Sequence, residues 1–133
     1  MLRSALYFFT VFCFGLASTA ALADFESAEK AFETNDPQTA FKQCATDAES
    51  GDPKCQTLLG VLYATGQGVP QDYAEAAKWY RKAADQGDAK AQFYLGTLYT
   101  IGQGVPQNSD EAARWFRKAA DHGDANAQTN LKK

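Results

Sequence analysis

Residues 51–86 read GDPKCQTLLGVLYATGQGVPQDYAEAAKWYRKAADQ, and residues 87–122 read GDAKAQFYLGTLYTIGQGVPQNSDEAARWFRKAADH. Laid on each other, the two stretches are identical at 23 of 36 positions. The loop GQGVPQ (66–71 and 102–107) is unchanged, as are EAA-x-W (75–79 and 111–115) and RKAAD (81–85 and 117–121). Gly51, Gly87 and Gly123 each precede Asp at the same spacing. A repeat period between 20 and 50 residues means a stacked array of supersecondary units, each too small to bury its apolar face alone.

Each unit reads as two helices. In the first, Ala91, Leu95, Leu98 and Tyr99 recur at i, i+4, i+7 and i+8, one buried stripe. Asp88 is its expected N-cap, and Asp52-Pro53 gives the preceding unit a cap followed by Pro at the first helical position. Gly102 ends that helix, because Gly adopts the left-handed backbone of the C′ position without cost. Val105-Pro106 closes the turn. The second helix opens on Asp72-x-x-Glu75 and Asn108-x-x-Glu111, both capping boxes. Its expected buried side carries Ala76, Trp79, Tyr80 and Ala83, and likewise Ala112, Trp115, Phe116 and Ala119.

The flanks are partial units. Asp36-Pro37 lies 36 residues before Asp72 and predicts a helix over 37–49. Before it, Phe25, Ala28 and Phe32 share one face of a shorter helix over about 25–34, with Asn35 as its stop. At the other end 124–133 restarts a first helix, with Ala127 and Leu131 at the Ala91 and Leu95 positions. Atypical terminal units hide the apolar ends of an array from water. The expected architecture is all-α: an α/α solenoid of about six antiparallel helices, two full repeats with partial caps.

The pattern A-x-x-x-LG-x-x-Y-x-x-G-x-GV-x-x-D/N-x-x-x-A-x-x-W-Y/F-x-x-AA-x-x-G, read over 51–122, resembles the Sel1-like repeat, a relative of the tetratricopeptide repeat. The period and the G-x-GV-P loop separate it from the 34-residue tetratricopeptide unit. The match is weaker over 36–50 and 123–131, and it departs at Cys55, where the pattern has Ala. The resemblance implies a right-handed α/α solenoid that binds proteins or peptides on its concave face, and it implies no reaction. Cysteine-rich relatives also staple helix pairs with disulfides.

Residues 1–23 read as a leader outside the fold. Arg3 supplies a positive start, Ala5–Ala17 (ALYFFTVFCFGLA) is apolar apart from Thr10, and Ala21-Leu22-Ala23 presents small residues to a signal peptidase. The expected cut follows Ala23, leaving a domain over 24–133 in the periplasm or outside the cell, with no stable membrane span. The apolar run is shorter than the roughly 20 residues a bilayer requires. An uncleaved N-terminal anchor is the rival reading. Export places Cys44 and Cys55, on consecutive antiparallel helices, where a disulfide persists. Two buried free thiols are the alternative, because Cys44 lies about one helical turn farther from the intervening turn than Cys55 does.

Composition narrows the function classes. Of 133 residues, 45% are apolar, enough for a core. Thirteen Lys and Arg stand against 16 Asp and Glu, so no basic excess exists to neutralise a nucleic-acid backbone. One His and three Cys leave little for a metal site, and no cofactor is expected. Ser27-Ala28-Glu29-Lys30 matches the S-x-x-K element of penicillin-recognising enzymes. The S-D-N and K-T-G elements such enzymes need are missing, Ser109-Asp110-Glu111 failing the former. A β-lactam or cell-wall-peptide hydrolase is therefore only the alternative, by analogy with cysteine-rich relatives. His122 falls in an inter-helix turn, and Trp79 and Trp115 fall at core positions. The favoured reading is a non-catalytic scaffold or adaptor exported to the cell envelope that binds a protein or peptide. Its expected groove residues flank the core stripe: Leu58, Val61 and Thr65, their repeat mates Tyr94, Thr97 and Ile101, and Asn130, which matches Tyr94 in the last helix.

Overall fold

The computed structural model describes residues 25–123. The leader, Asn130 and the closing half-helix expected over 124–133 lie outside them. Six helices and no strand occur among the described residues. They are α1 (25–33), α2 (Pro37–Glu49), α3 (Pro53–Thr65), α4 (Tyr73–Asp85), α5 (Ala89–Ile101) and α6 (Ser109–Asp121). From α2 onward each helix packs on the next, and α3 also touches α5 across the repeat boundary. The result is the all-α solenoid that the period predicts.

The helices begin where the sequence supplies caps. Asp52 accepts from Cys55 N and Asp88 from Ala91 N, which satisfies amide groups that have no intrahelical partner. Asp72 accepts from Ala74 N and Glu75 N, and Asn108 from Asp110 N and Glu111 N. The expected capping boxes close in one direction only. Glu75 pairs with Lys78 and Glu111 with Arg114, each one turn along the same helix. Asn35, with φ of 63°, turns the chain after α1.

The GQGVP loop has two separate glycine requirements. Gly66 and Gly102 end α3 and α5 in the left-handed conformation, each donating its N–H to Leu62 or Leu98. Gly68 and Gly104 also have positive φ, and a Cβ there would run into the neighbouring repeat: Pro37 for Gly68, the Tyr73 carbonyl for Gly104. Each loop thus seats on the start of the preceding unit's second helix. Gln71 and Gln107 complete the loops by donating to Ala64 O and Thr100 O at 2.8 and 3.0 Å.

Two apolar clusters fill the interior. One joins Ala28, Ala40, Cys44 and Ala48 to Cys55, Leu59 and Leu62. The other joins Ala76, Tyr80 and Ala83 to Ala91, Leu95, Leu98 and Trp115. Fully burying one such Leu stabilises by roughly 1.5–3 kcal/mol. Cys44 and Cys55 are disulfide-bonded, with Cα atoms 5.0 Å apart and no exposed surface. The bond is therefore realised despite the unequal distances of the two residues from the turn. Cys44 occupies the repeat position of Tyr80 and Phe116, so the first unit replaces an aromatic knob with a covalent tie.

Trp115 is buried, 5% exposed, whereas Trp79 is only half-buried, so the core expectation is met by the first and only partly by the second. The guanidinium of Arg81 lies over the Trp115 ring at 5.5 Å and also donates to the Tyr99 hydroxyl. One repeat earlier the position of Arg81 is Ala45, and the cation over Trp79 is Lys82 of the same helix, 4.2 Å from the ring centroid.

Candidate functional site: a groove between the first helices

The first helices of successive units, α1, α3 and α5, enclose a groove of about 490 Å³. Its apolar lining comes from Phe25 and Phe32 of α1, Leu58 and Val61 of α3 and Tyr94 of α5. The aromatic faces are held from behind. The Tyr94 ring lies 5.2 Å from that of Tyr80 and 5.9 Å from that of Phe93. The polar groups of the lining are Glu29, Thr57, Asp88 and the lysines Lys54 and Lys90. An apolar depression with a few polar groups at its margin can hold apolar side chains while the polar groups orient them.

Of the residues expected to form a groove, Leu58, Val61 and Tyr94 line this one. Thr65, Thr97 and Ile101 lie outside its lining. Thr65 is exposed near the end of α3 and bonds Val61 O at 2.7 Å. Thr97 is half-buried and bonds Phe93 O at 3.0 Å. Ile101 is 53% exposed at the far end of α5. Phe25, Phe32, Lys54 and Lys90 line the groove but are absent from the sequence expectation. That expectation looked for variation between repeats on one flank, and the two lysines do not vary. Phe25 and Phe32, expected on one face of α1 with Ala28, also pack against the first apolar cluster.

A second feature is a polar ladder inside the stack. Gln56 and Gln92 are 4% and 2% exposed, although both are amides. Gln56 Nε2 donates to Ala48 O at 2.9 Å, and Gln92 Nε2 to Ala84 O at 3.0 Å. Those carbonyls can only accept, which fixes both amide orientations. The remaining oxygens accept from the end of the following helix: Gln56 Oε1 from Gln86 Nε2 and Gln92 Oε1 from His122 Nδ1, each at 2.9 Å. His122 is exposed, as its turn position implies, yet its Nδ1 carries the proton that holds this contact. Each glutamine thereby ties three helices, satisfying polar groups that would otherwise be costly to bury.

The remaining motifs form no reactive constellation among the described residues. Ser27 and Lys30 are exposed on α1. No group of three or more His, Cys, Asp or Glu side chains is placed to hold a metal among the described residues. No helix among them is long and apolar enough to cross a membrane.

Comparison with known proteins agrees with this geometry. The Sel1 repeat family profile matches residues 53–88 and 89–124. A Sel1 repeat protein from Oxalobacter formigenes superposes with a TM-score of 0.76 at 36% identity, over 80% of this chain and 43% of the other. A protective antigen present in uropathogenic Escherichia coli strains, displaying an SLR fold, superposes with a TM-score of 0.75 at 38% identity, over 84% and 25%. Cysteine-rich protein B of Helicobacter pylori shares the fold at 23% identity, with a TM-score of 0.73 over 90% and 92%. This chain thus spans less than half the length of the first two. No curated protein sequence matches it. The two matched repeats cover more than half of the chain and coincide with its two full helix pairs, so the protein belongs to the Sel1 repeat family.

Proposed function

We propose that this protein is an exported, non-catalytic scaffold that binds a protein or peptide partner in the groove between α1, α3 and α5, on the concave face. The observation that supports this most is the groove itself: an apolar depression lined by aromatic side chains and built by the first helices of successive units. Sel1 repeats typically serve as protein–protein interaction scaffolds. The leader pattern over 1–23 supports export to the periplasm or the exterior.

Crosslinking pull-down from the envelope fraction tests the binding role. A photo-crosslinker at Val61 should capture a discrete partner, and Tyr94→Ala should abolish the capture. Capture unchanged by Tyr94→Ala would overturn the assignment to this groove. Intact-mass analysis of exported protein should show a chain beginning at Asp24. Retention of 1–23 in the membrane fraction would replace export with anchoring. Nitrocefin turnover that disappears in Ser27→Ala would overturn the non-catalytic assignment.

A further inference from the structure

We infer that the outward face of α6 is a docking surface for residues 124–133, which cap the array and add a third rung to the glutamine ladder through Gln128.

The turn that leads into this segment has the geometry of the two that precede α3 and α5. Gly51 has φ of 110°, and Gly87 and Gly123 both have 93°. Each donates its N–H to the carbonyl three residues back, Ala48, Ala84 or Ala120, at 3.2, 3.0 and 3.1 Å. After the first two turns the chain packs back as α3 on α2 and as α5 on α4. The same turn at Gly123 directs 124–133 onto α6. The face they meet there is less covered than its counterpart. Ala77, Tyr80 and Ala84 are buried on α4, whereas their repeat mates Ala113, Phe116 and Ala120 are half-buried on α6.

The segment carries the residues this face requires. Asp124 stands at the position of the caps Asp52 and Asp88. Ala127 stands at that of Cys55 and Ala91, and Leu131 at that of Leu59 and Leu95, all four of which are 0–1% exposed. Gln128 is the mate of Gln56 and Gln92, whose amides donate to Ala48 O and Ala84 O. The third acceptor of that series is Ala120 O. A glutamine on the inward stripe of a helix is costly to bury unless such an acceptor meets it. Lys132 replaces Gly60 and Gly96, where a Cβ would run into Tyr80 and Phe116. The segment thus has no seat for the aromatic of a following helix and presents a polar outer side, as a terminal unit must. Covalent attachment to α6 favours this occupant over a second copy, because the contact is intramolecular.

The native disulfide supplies the test. Phe116 and Ala127 are the repeat mates of Cys44 and Cys55, whose Cα atoms lie 5.0 Å apart. A full chain carrying Phe116→Cys and Ala127→Cys should therefore form a second disulfide, recovered beside Cys44–Cys55 by non-reduced peptide mapping. Phe116→Cys with Ala125→Cys should not. In the wild-type protein, amide exchange over 126–131 should be slowed, and Gln128→Leu should speed it roughly two- to tenfold, the factor set by one net hydrogen bond. Protein lacking 124–133 should melt lower by on the order of 10 °C and self-associate in sedimentation, while the intact chain stays monomeric. Unprotected exchange over 126–131 would overturn the docking, as would free thiols in a Phe116→Cys, Ala127→Cys protein that still melts cooperatively. Unaltered exchange in Gln128→Leu would refute the third rung. Protection of α6 that rises with protein concentration would give the face to a second copy and refute the cap.

Discussion

The ring of Tyr80 lies against Gly60 so closely that a Cβ at Gly60 would overlap it. The next repeat reproduces the relationship, with Phe116 Cε1 only 2.9 Å from a Cβ built at Gly96. The LG of each first helix is thus a socket for the aromatic of its second helix, and the two helices of a unit approach as closely as backbone allows.

Gly60→Ala should therefore destabilise the protein even though Ala is the better helix former. Forced overpacking costs about 1–3 kcal/mol, against about 1 kcal/mol gained in helix propensity. Urea unfolding should show a net loss on the order of 1 kcal/mol, partly recovered when Tyr80→Leu is added. An unchanged or raised midpoint for Gly60→Ala would show that the socket is not tight.

The buried phenol of Tyr80 makes stability fall in alkali. Burial, with a smaller contribution from Tyr94, raises its pKa well above the ordinary value of 10.0. The unfolded chain then releases this proton first, so the contribution is complete below about pH 10 and declines as pH rises through and beyond that value. Tyr80→Phe, which copies Phe116, should flatten the decline in melting temperature between pH 10 and 12. Parallel declines for the two proteins would assign the alkaline loss to other groups.

Reduction of Cys44–Cys55 should weaken the first unit most. The bond joins residues 11 apart, worth about 2–3 kcal/mol in the chain-entropy account. A Cys44→Ala, Cys55→Ala variant should melt lower by on the order of 10 °C. Non-reduced peptide mapping should recover the linked pair from oxidised protein. Rapid alkylation of both thiols without reductant would contradict the bond.

Gln92→Leu removes both arms of a ladder rung, while Ala84 O keeps its bond from Gly87 N and the exposed His122 Nδ1 turns to water, so what is lost is the tie between helices. Each such hydrogen bond contributes about 0.5–1.5 kcal/mol net. The variant should lose that much in chemical denaturation, and amide exchange should accelerate near the ends of α4 and α6. Wild-type exchange at both ends would show that the rung contributes no cooperativity between units.

Over the described residues, helix identity, boundaries and stacking are legible in the sequence, because each depends on local chemistry repeated at fixed spacing. Asp and Asn caps, left-handed glycines and a Leu stripe act within one or two turns, and a 36-residue identity reports that they recur. The groove was legible only in part. Leu58, Val61 and Tyr94 could be placed by helical phase, but α1 lacks the repeat pattern, so nothing local said that Phe25 and Phe32 would face them. Lys54 and Lys90 were hidden for the opposite reason, since identity between repeats reads as structural.

What the sequence by itself determined is the unit: two helices, their caps, the glycine-bearing loop and the order in which units follow. Tertiary structure alone decided what lies between units. Arg81 lies over Trp115 across the repeat boundary, and a buried Gln92 is satisfied only because Ala84 O and His122 Nδ1 arrive from separate helices. The physical reason is range. Backbone preferences and caps are settled by neighbours in the chain, whereas burial, polar satisfaction and an open groove depend on which surfaces two helices bring together across some 30 residues of chain.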